Sequence, residues 1–310
     1  MEDLPQPNGA FAWVQAATRQ AAGGEPAGRL ARLGATPDVH HRHHGLPALV
    51  CRPLAALAPH VFTTRAWALG SGTPGQDETV WAEVAGALDL PPADLVRTRQ
   101  VHGATVLVAR VTAGTPPSGV AADILVTDRS GIGLAVQAAD CVPLLIADRR
   151  TGAVAAAHAG WRGLAARVPS AVVAALLREL GSAPGDLVAA VGPSVGACCY
   201  EVGRDVRQAF EAAGFADNRL ASWFFDEPLV SVGNPAMPGL ASRRRAGRWF
   251  FDGWASARDQ LIDAGVGPDA VFVSELCTAS HPATFSSYRR DGPPSGRQAG
   301  AIRRAIRSEK

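Results

Sequence analysis

The chain has 310 residues, of which 47% are hydrophobic and 19% are charged. This length fits one large domain or two small ones, and the apolar fraction is large enough for a core, which excludes global disorder. With 30 basic and 28 acidic residues the net charge is +2. We therefore expect no general charge attraction to nucleic acid or to an acidic membrane.

Cysteine usage and the first residues bear on where the protein works. Five cysteines are an odd number in a chain long enough to fold without disulfides, so we expect mostly reduced thiols. The opening MEDLPQPNGA lacks the basic and apolar segments of a secretory signal. No run approaches the roughly 18–20 apolar residues of a membrane span. These features predict a soluble, cytoplasmic protein.

The first 45 residues differ in composition from the rest. They are rich in Gly, Ala, Pro and Arg and predict a poorly ordered extension over 1–45. A helix over 11–33 is possible, although glycines within that range would end it. The extension ends in a histidine cluster, His40, His41, His43 and His44. Such a cluster could bind a metal, but a solvated polar run is the simpler interpretation.

From residue 46 onward short apolar runs alternate with helical patterns, as in a mixed α/β domain. The apolar runs predict strands over 61–64, 101–111, 123–127, 133–137, 142–147, 153–157, 187–191 and 270–273. Helical spacing predicts helices over 78–88, 164–180, 202–213 and 254–264. Pro169 must lie in the first turns of its helix or mark a break. No long linker divides the chain, so 46–310 is predicted to be one domain.

Three residues at the edges of predicted strands could carry chemistry: His102, Cys141 and His158. Small residues flank each of them, which leaves room for a ligand while the strand aims the side chain. Two imidazoles and one thiolate suit zinc, with a fourth position left for water. The wide spacing contains no C-x-x-C pair, so spacing alone does not specify a metal site.

Two other interpretations use the same residues. Cys141 as a thiolate, with His158 or His102 as base, could attack an acyl or amide carbon. The three could also be a buried thiol and two hydrogen-bonded histidines without a catalytic role. Asp140 does not easily orient the same histidine, because adjacent strand residues point to opposite faces. Because three such residues occur in similar settings, we favour a functional site over the non-catalytic interpretation.

Several arginines suggest anion binding. Arg65 follows a predicted strand, and Arg162 precedes a predicted helix whose N-terminus also favours anions. Arg290 lies in a Ser-Tyr-Arg-Arg-Asp-Gly segment near the end of the chain. Two or three such side chains could hold a phosphate. Surface charge is the competing interpretation, because Lys310 is the single lysine and arginine supplies the other positive charges.

The remaining cysteines carry weaker signals: Cys51, Cys198, Cys199 and Cys277. Neighbouring cysteines such as Cys198 and Cys199 do not easily bridge each other. We expect all four to pack as small hydrophobic residues without binding metal.

Six segments follow one another in order: RTRQVHGATV, ADILVTD, ADCVPLL, AAHAGWRG, GPSVGACCYEV and SYRRDG-x-x-x-GR. Together they resemble the laccase-domain family, also called YfiH-like or multicopper polyphenol oxidase-like proteins. The resemblance extends from about residue 46 to about residue 306. It implies an α+β fold, a single domain in which mixed sheets form a layered α/β/β/α sandwich.

The resemblance also implies a mononuclear zinc site. Its ligands would be His102 of QVHG, Cys141 of ADCVP and His158 of HAGWRG. Family members cleave adenosine, inosine, guanosine and methylthioadenosine with phosphate, and they deaminate adenosine. We accordingly expect purine nucleosides and phosphate as ligands of a monomer or small homo-oligomer.

Chemical inference adds roles to the family pattern. Phosphorolysis needs cations to bind the phosphate, and Arg65, Arg162 and Arg290 are the candidates. Asp140 is the candidate for supporting the zinc ligands or for proton transfer, and it joins Cys141 and His158 in the expected catalytic set.

Three alternatives remain at this stage. An amidase or other hydrolase acting on cell-wall peptide precursors would use Cys141 as nucleophile. A copper-dependent polyphenol oxidase is less expected, since the single His-x-His pattern, at 41–43, lies in the extension. A non-catalytic zinc protein would have a fourth protein ligand in place of the open position.

Overall fold

The computed structural model describes residues 4–16, 45–70, 78–110, 119–239 and 245–306. Within these ranges the strands are β1 (Phe11–Ala16), β2 (Leu46–Cys51), β3 (His60–Thr63), β4 (Leu95–Val96), β5 (Val106–Val108), β6 (Ile124–Thr127), β7 (Gly133–Ala138), β8 (Val142–Asp148), β9 (Val154–Ala159), β10 (Leu187–Val191), β11 (Glu201–Gly203), β12 (Phe224–Phe225), β13 (Arg248–Phe251), β14 (Val271–Val273) and β15 (Gln298–Arg303). The helices are α1 (Arg52–Ala55), α2 (Glu78–Ala87), α3 (Trp161–Ala165), α4 (Val168–Leu180), α5 (Arg204–Ala212), α6 (Asp217–Trp223), α7 (Gly253–Asp263) and α8 (Tyr288–Asp291). None of these helices combines the length and the apolar content needed to span a bilayer.

Six strands form the first sheet, in the order β1-β2-β3-β15-β7-β4. All neighbours are antiparallel except β7 and β4, which run parallel. Strand β15 lies in the middle of the sheet, paired with β3 on one side and with β7 on the other. The last strand of the chain therefore joins two halves of a sheet whose other strands come much earlier in the sequence.

The second sheet has the order β14-β10-β8-β9-β6-β5. Its central pairs are antiparallel, and a parallel pair closes each edge. The hairpin of β8 and β9 is buried along its whole length. This burial explains why both strands are almost continuously apolar in sequence.

The two sheets pack face to face, and successive strand residues divide between two cores. Phe62 and Val136 belong to the core between the sheets. Their neighbours Val61 and Ala135 belong to the core under α2, on the outer face of the first sheet. Helices α4 and α7 cover the outer face of the second sheet. The result is the mixed-sheet α/β/β/α layering that the family resemblance implied. A small sheet, β11-β13-β12, lies beside α5 and α6.

The predicted helix over 164–180 is divided in two. Arg167, between α3 and α4, has a left-handed backbone with φ of 60°. Pro169 lies in the first turn of α4, where the absence of an N–H costs no helical hydrogen bond. The proline thus marks the break that the sequence allowed.

Two local predictions are wrong. Residues 11–16 were expected in a poorly ordered extension or a helix, but they form β1, an edge strand paired with β2 through all six residues. Residues 17–44, with the histidine cluster, lie outside the described ranges. The predicted strand over 101–111 shortens to β5, because residues 101–103 instead turn around the side chain of Asp123.

His60, at the start of β3, is a buried histidine whose ring has two backbone partners. Its Nε2 accepts from the Cys51 amide at 2.9 Å, and its Nδ1 lies 2.9 Å from the Ala58 carbonyl, to which it donates. Burial lowers the pKa of His60 to about 4, although the bond to Ala58 acts in the opposite direction. The ring is therefore neutral at pH 7, and protonation at Nε2 would remove the bond to Cys51.

We predict that His60 makes the protein sensitive to acid. The unfolded chain takes up this proton near pH 6.5 and the folded chain near pH 4, so the free energy of unfolding falls as pH drops between these values. The loss at pH 5 relative to pH 7.5 is about 2 kcal/mol. His60→Gln keeps an acceptor but does not titrate. Urea unfolding at pH 5 and at pH 7.5 measures the stability of both proteins. The difference between wild type and variant should change by about 2 kcal/mol between the two pH values. A difference that is independent of pH would contradict the assignment.

Candidate functional site

Three side chains from distant parts of the sequence meet at one end of the second sheet: His102, Cys141 and His158. Their nitrogen and sulfur atoms all lie within 4.8 Å of one another. The two imidazole rings are 4.8 Å apart at an interplanar angle of 79°. His158 is buried, Cys141 is half-buried and His102 is exposed. These residues form a possible metal-binding site that is open to solvent on the side of His102.

The register of the β8–β9 hairpin brings two of these residues together. Cys141 comes directly before β8, whose first residue, Val142, pairs with Ala159. His158 lies in β9 opposite Pro143. The thiol and the imidazole therefore project from the same end of two paired, buried strands, and main-chain hydrogen bonding fixes their separation.

Gly160 leaves the space in which the side chains approach. A Cβ at this position would lie 2.8 Å from Cys141 Sγ and 3.0 Å from His102 Cδ2. Both atoms belong to short side chains held in place, so neither can move away cheaply. The site requires a residue without a side chain here.

The carboxylate of Asp123 holds two of the three residues. Its Oδ1 accepts from His158 Nδ1 at 2.9 Å and from the His102 amide at 3.0 Å. Its Oδ2 accepts from the amides of Val101 and Gly103 at 3.1 and 2.9 Å. One buried side chain thus orients the imidazole of His158 and fixes the backbone on both sides of His102.

Asp123 determines which nitrogen of His158 is available. A carboxylate at Nδ1 keeps the proton on that nitrogen, so it is Nε2 that presents a lone pair to the cluster once the ring is neutral. Sequence reasoning missed Asp123, although it belongs to the ADILVTD segment. The signal that could have revealed it is an acidic residue directly before three apolar strand residues, because a buried carboxylate requires hydrogen-bond donors.

Two residues of the site have left-handed backbones that non-glycine residues rarely adopt. The φ angle is 61° at His102 and 84° at Asp140. Such conformations persist where surrounding bonds fix them. For His102 those bonds come from Asp123. For Asp140 they come from the Thr278 hydroxyl and the Arg289 amide.

The charges of the site change the pKa values of its thiol and imidazole. Burial disfavours the Cys141 thiolate, but His158 and His102 outweigh it and lower the pKa of Cys141 to about 6. Burial also disfavours the His158 imidazolium, yet Cys141 and Asp123 raise the pKa of His158 to about 9. At neutral pH without metal, the pair is a thiolate and an imidazolium. The thiolate is the form that binds metals and acts as a nucleophile.

Asp140 is bound by other segments and not by the histidines. Its carboxylate accepts from Thr278 Oγ1 at 2.6 Å and from the Arg289 amide at 2.5 Å. Burial raises the pKa of Asp140 against the effect of these bonds. The side chain therefore connects two C-terminal segments to the turn that carries Cys141.

The candidate anion-binding residues Arg162 and Arg65 are both exposed. The guanidinium of Arg162 lies 4.1 Å from the ring centre of Trp161. Arg162 lies in α3, two residues beyond Gly160, and therefore close in sequence to the end of β9 that holds His158. Arg65 donates to the Pro282 carbonyl.

The two adjacent arginines of α8 have different environments. The guanidinium of Arg290 donates to the carbonyls of residues 278, 279 and 285 and pairs with Asp291. The guanidinium of Arg289 lies 5.0 Å from the ring centre of Tyr200. The sequence nominated Arg290, whereas the structure connects Arg289 to the site. Identical neighbours in a sequence carry no signal that separates them.

Tyr200 is a further residue that sequence reasoning missed. Burial raises its pKa, and its phenol interacts electrostatically with Cys141, Arg289, Asp140 and Arg162. It follows the two neighbouring cysteines of the GPSVGACCYEV segment, which supplied the only signal for it. Tyr200 is therefore close enough to feel the charges of both the Cys141 thiol and the candidate anion-binding residue Arg162.

A family model described as multi-copper polyphenol oxidoreductase laccase matches residues 73–305. The chain belongs to this family. Membership confirms the resemblance carried by the six sequence segments.

Relatives of this laccase family member are named for nucleoside chemistry. A purine nucleoside phosphorylase of Deinococcus radiodurans is 36% identical over 270 residues, which cover 83% of the chain and 93% of the relative. Adenosine deaminase RL5, from an unknown prokaryotic organism, is 37% identical over 210 residues, 66% of the chain and 72% of the relative. The names indicate an enzyme.

Solved structures agree with the layered fold of this family member. YlmD from Geobacillus stearothermophilus superposes with a TM-score of 0.68 at 29% identity, covering 87% of the chain and 100% of YlmD. YfiH from Bacillus licheniformis superposes with a TM-score of 0.69 at 25% identity, covering 82% of the chain and 95% of YfiH.

Replacing Gly160 tests how tightly the site is packed. We predict that Gly160→Ala lowers the free energy of unfolding by about 1–3 kcal/mol, because the new methyl group overlaps Cys141 and His102. Gly185→Ala is the matched control, since a Cβ at Gly185 meets nothing within 4 Å. Equal stability of the two variants in urea unfolding would show that the site has room to spare.

Proposed function

We propose that the protein is a zinc-dependent purine nucleoside phosphorylase that also deaminates adenosine. The observation that carries this proposal is the group of His102, Cys141 and His158 around one buried carboxylate, in a chain whose relatives bear both enzyme names. Its substrates are adenosine, inosine, guanosine and methylthioadenosine, each cleaved with phosphate to the free base and the sugar 1-phosphate.

In this proposal His102, Cys141 and His158 hold the zinc ion. Two imidazoles and one thiolate form a donor set that suits Zn²⁺ and leaves one position open. The tautomer of His158 and the lowered pKa of Cys141 support this use of the residues. A bound zinc ion would supply a Lewis acid that makes water nucleophilic near neutral pH, which is the chemistry that deamination needs. Copper is the less favoured ion.

The chain's own residues bind and orient the other reactants. Arg162 is exposed beside the site and is our first candidate for the phosphate, with Arg65 as a second. Arg290 is less suited, because its donors already bind the main chain and Asp291. Asp140 acts as a positioning residue that fixes the turn before Cys141.

The direct test is an assay of zinc-loaded protein with adenosine. Phosphate-dependent release of adenine and phosphate-independent formation of inosine are the expected results. If neither product forms from any purine nucleoside, the proposed function is wrong.

Asp123→Asn tests the role of the buried carboxylate. We predict a loss of zinc affinity of roughly 10–100-fold, because the amide no longer fixes the tautomer of His158. Competition with a chromophoric chelator measures it. Asp148→Asn is the control: Asp148 is also buried and accepts two backbone amides, at the opposite end of β8 from Cys141. Equal zinc affinity in the two variants would contradict the role given to Asp123.

Arg162→Gln separates phosphate binding from the chemistry at the metal. The variant loses the charge-assisted contact between the guanidinium and the phosphate, which contributes about 1.5–3 kcal/mol. We therefore predict that kcat/KM for phosphate falls roughly 10–100-fold. Deamination, which uses no phosphate, should stay within about twofold of the wild-type rate. Arg178→Gln, on the exposed side of α4, should leave both reactions unchanged. A parallel loss of both activities in Arg162→Gln would rule out a phosphate-specific role.

A second candidate function rests on the thiolate–imidazolium pair. Cys141 with His158 as its partner has the charge state of a cysteine nucleophile, as an amidase acting on cell-wall peptide precursors would need. This reaction would survive removal of metal by a chelator, whereas the zinc-dependent reactions would stop.

A further inference from the structure

Three of the four remaining cysteines form a second cluster. The Sγ atoms of Cys198, Cys199 and Cys277 all lie within 4.8 Å of one another, and all three side chains are buried. Cys198 and Cys199 lie in the turn before β11, and Cys277 follows β14. The sequence predicted separate structural thiols, because nothing in their spacing indicates that Cys277 joins the neighbouring pair.

Backbone amides point at two of the sulfur atoms. The amide of Gly196 donates to Cys277 Sγ at 3.3 Å, and the amide of Met237 donates to Cys199 Sγ at 3.2 Å. N–H donors directed at sulfur favour the thiolate, which is the form that binds a metal.

An oxygen atom lies beside two of the three sulfur atoms. Ser280 Oγ is 3.4 Å from the Sγ atoms of both Cys198 and Cys199. Its hydroxyl donates to the Pro235 carbonyl at 2.6 Å. Because the single proton of Ser280 is used there, the lone pairs of Oγ are free to accept from the thiols of Cys198 and Cys199 or to bind an ion. His281 follows, and its buried Nε2 has no hydrogen-bond partner among the described residues.

The sulfur–oxygen distances fit a tetrahedral site for a thiophilic ion, and the three sulfur atoms are close enough to approach one. With metal–sulfur bonds of about 2.3 Å and a metal–oxygen bond of about 2.1 Å, the sulfur–sulfur edges are about 3.8 Å and the sulfur–oxygen edges about 3.6 Å. The observed sulfur–oxygen distances are 3.4 Å, and the sulfur atoms lie within 4.8 Å. Small side-chain movements would complete the geometry.

A pocket lies next to the cluster, on the side of Ser280. It has a volume of ≈ 400 Å³, and both Pro235 and Ser280 line it. Arg290 also lines the pocket, and its guanidinium donates to the Thr278 and Ala279 carbonyls, directly after Cys277.

We propose that Cys198, Cys199 and Cys277 form a second metal site, for a thiophilic closed-shell ion such as Zn²⁺, separate from the His102–Cys141–His158 group. Ser280 or His281 supplies the fourth donor. Each cysteine that is a thiol before binding releases its proton to solvent when its metal–sulfur bond forms, so no oxidant or reductant takes part.

The test uses reduced protein loaded with Zn²⁺ alone and freed of excess ion. The wild type is expected to retain about two zinc ions per chain, with an average of about two sulfur ligands per zinc in X-ray absorption. One zinc with about one sulfur ligand would overturn the proposal. This measurement needs no variant.

Variants assign the second ion to its residues. A protein carrying His102→Ala and Cys141→Ala should retain about one zinc, with about three sulfur ligands. Adding Cys277→Ser should remove it, whereas adding Cys51→Ser, at a buried cysteine outside the cluster, should not. Equal zinc retention with Cys277→Ser and Cys51→Ser would overturn the proposal. Because the parent double variant lacks the first site, this result is independent of nucleoside activity.

Discussion

The hydrogen bonds of the Asp123 carboxylate are the constraint on which the candidate site depends. The side chain is fully buried and accepts four hydrogen bonds, three of them from consecutive backbone amides and one from His158. A buried carboxylate is tolerated only when it is satisfied in this way. The same bonds that stabilise the charge hold His102 in a left-handed backbone and set the tautomer of His158. Stability and site geometry therefore depend on one group.

The site combines a rigid side with an open side. His158 and Cys141 belong to the buried β8–β9 hairpin, whose main-chain bonds fix their separation. His102 comes from a loop and is exposed. Strain at His102 and Asp140 is balanced by bonds from other segments, so both loops around the thiol are tied to distant parts of the chain. This arrangement suits chemistry on a small solute that enters from the side of His102.

The two cysteine-containing clusters differ in their donors and in their surroundings. The first mixes nitrogen and sulfur and is open to solvent, as expected where a reactant must reach the metal. The second contains only sulfur ligands, is buried, and has a serine oxygen beside two of its sulfur atoms. Structural zinc sites are closed by protein donors, whereas catalytic sites keep a position open. In our proposals the first cluster is therefore a catalytic site and the second a structural site.

Much of the fold was predictable because its local signals are strong. Helix α2 and strands β7 to β9 have clear periodicity or continuous apolar runs, and Pro169 marks the break between α3 and α4. Strand β15 was not predicted, since Gln298–Arg303 holds one β-branched residue and its place depends on partners far away in the sequence. Strand β1 was missed for a similar reason, because β2 alone gives it a partner.

The three residues of the candidate site could be predicted, but their support could not. Histidine and cysteine beside small residues stand out in a sequence as candidate metal ligands. Asp123 is one of many acidic residues, and the four groups that donate hydrogen bonds to it come together only in the folded chain. The environments of Arg289 and Arg290 depend on side-chain direction, which adjacent identical residues do not reveal.

The central claim is that His102, Cys141 and His158 hold the metal that nucleoside chemistry requires. Anomalous diffraction at the zinc edge, from crystals of protein that phosphorolyses adenosine, tests it most directly. The account predicts a peak bounded by the two imidazoles and the thiol. Active protein without a peak at that position, for any metal, would contradict it.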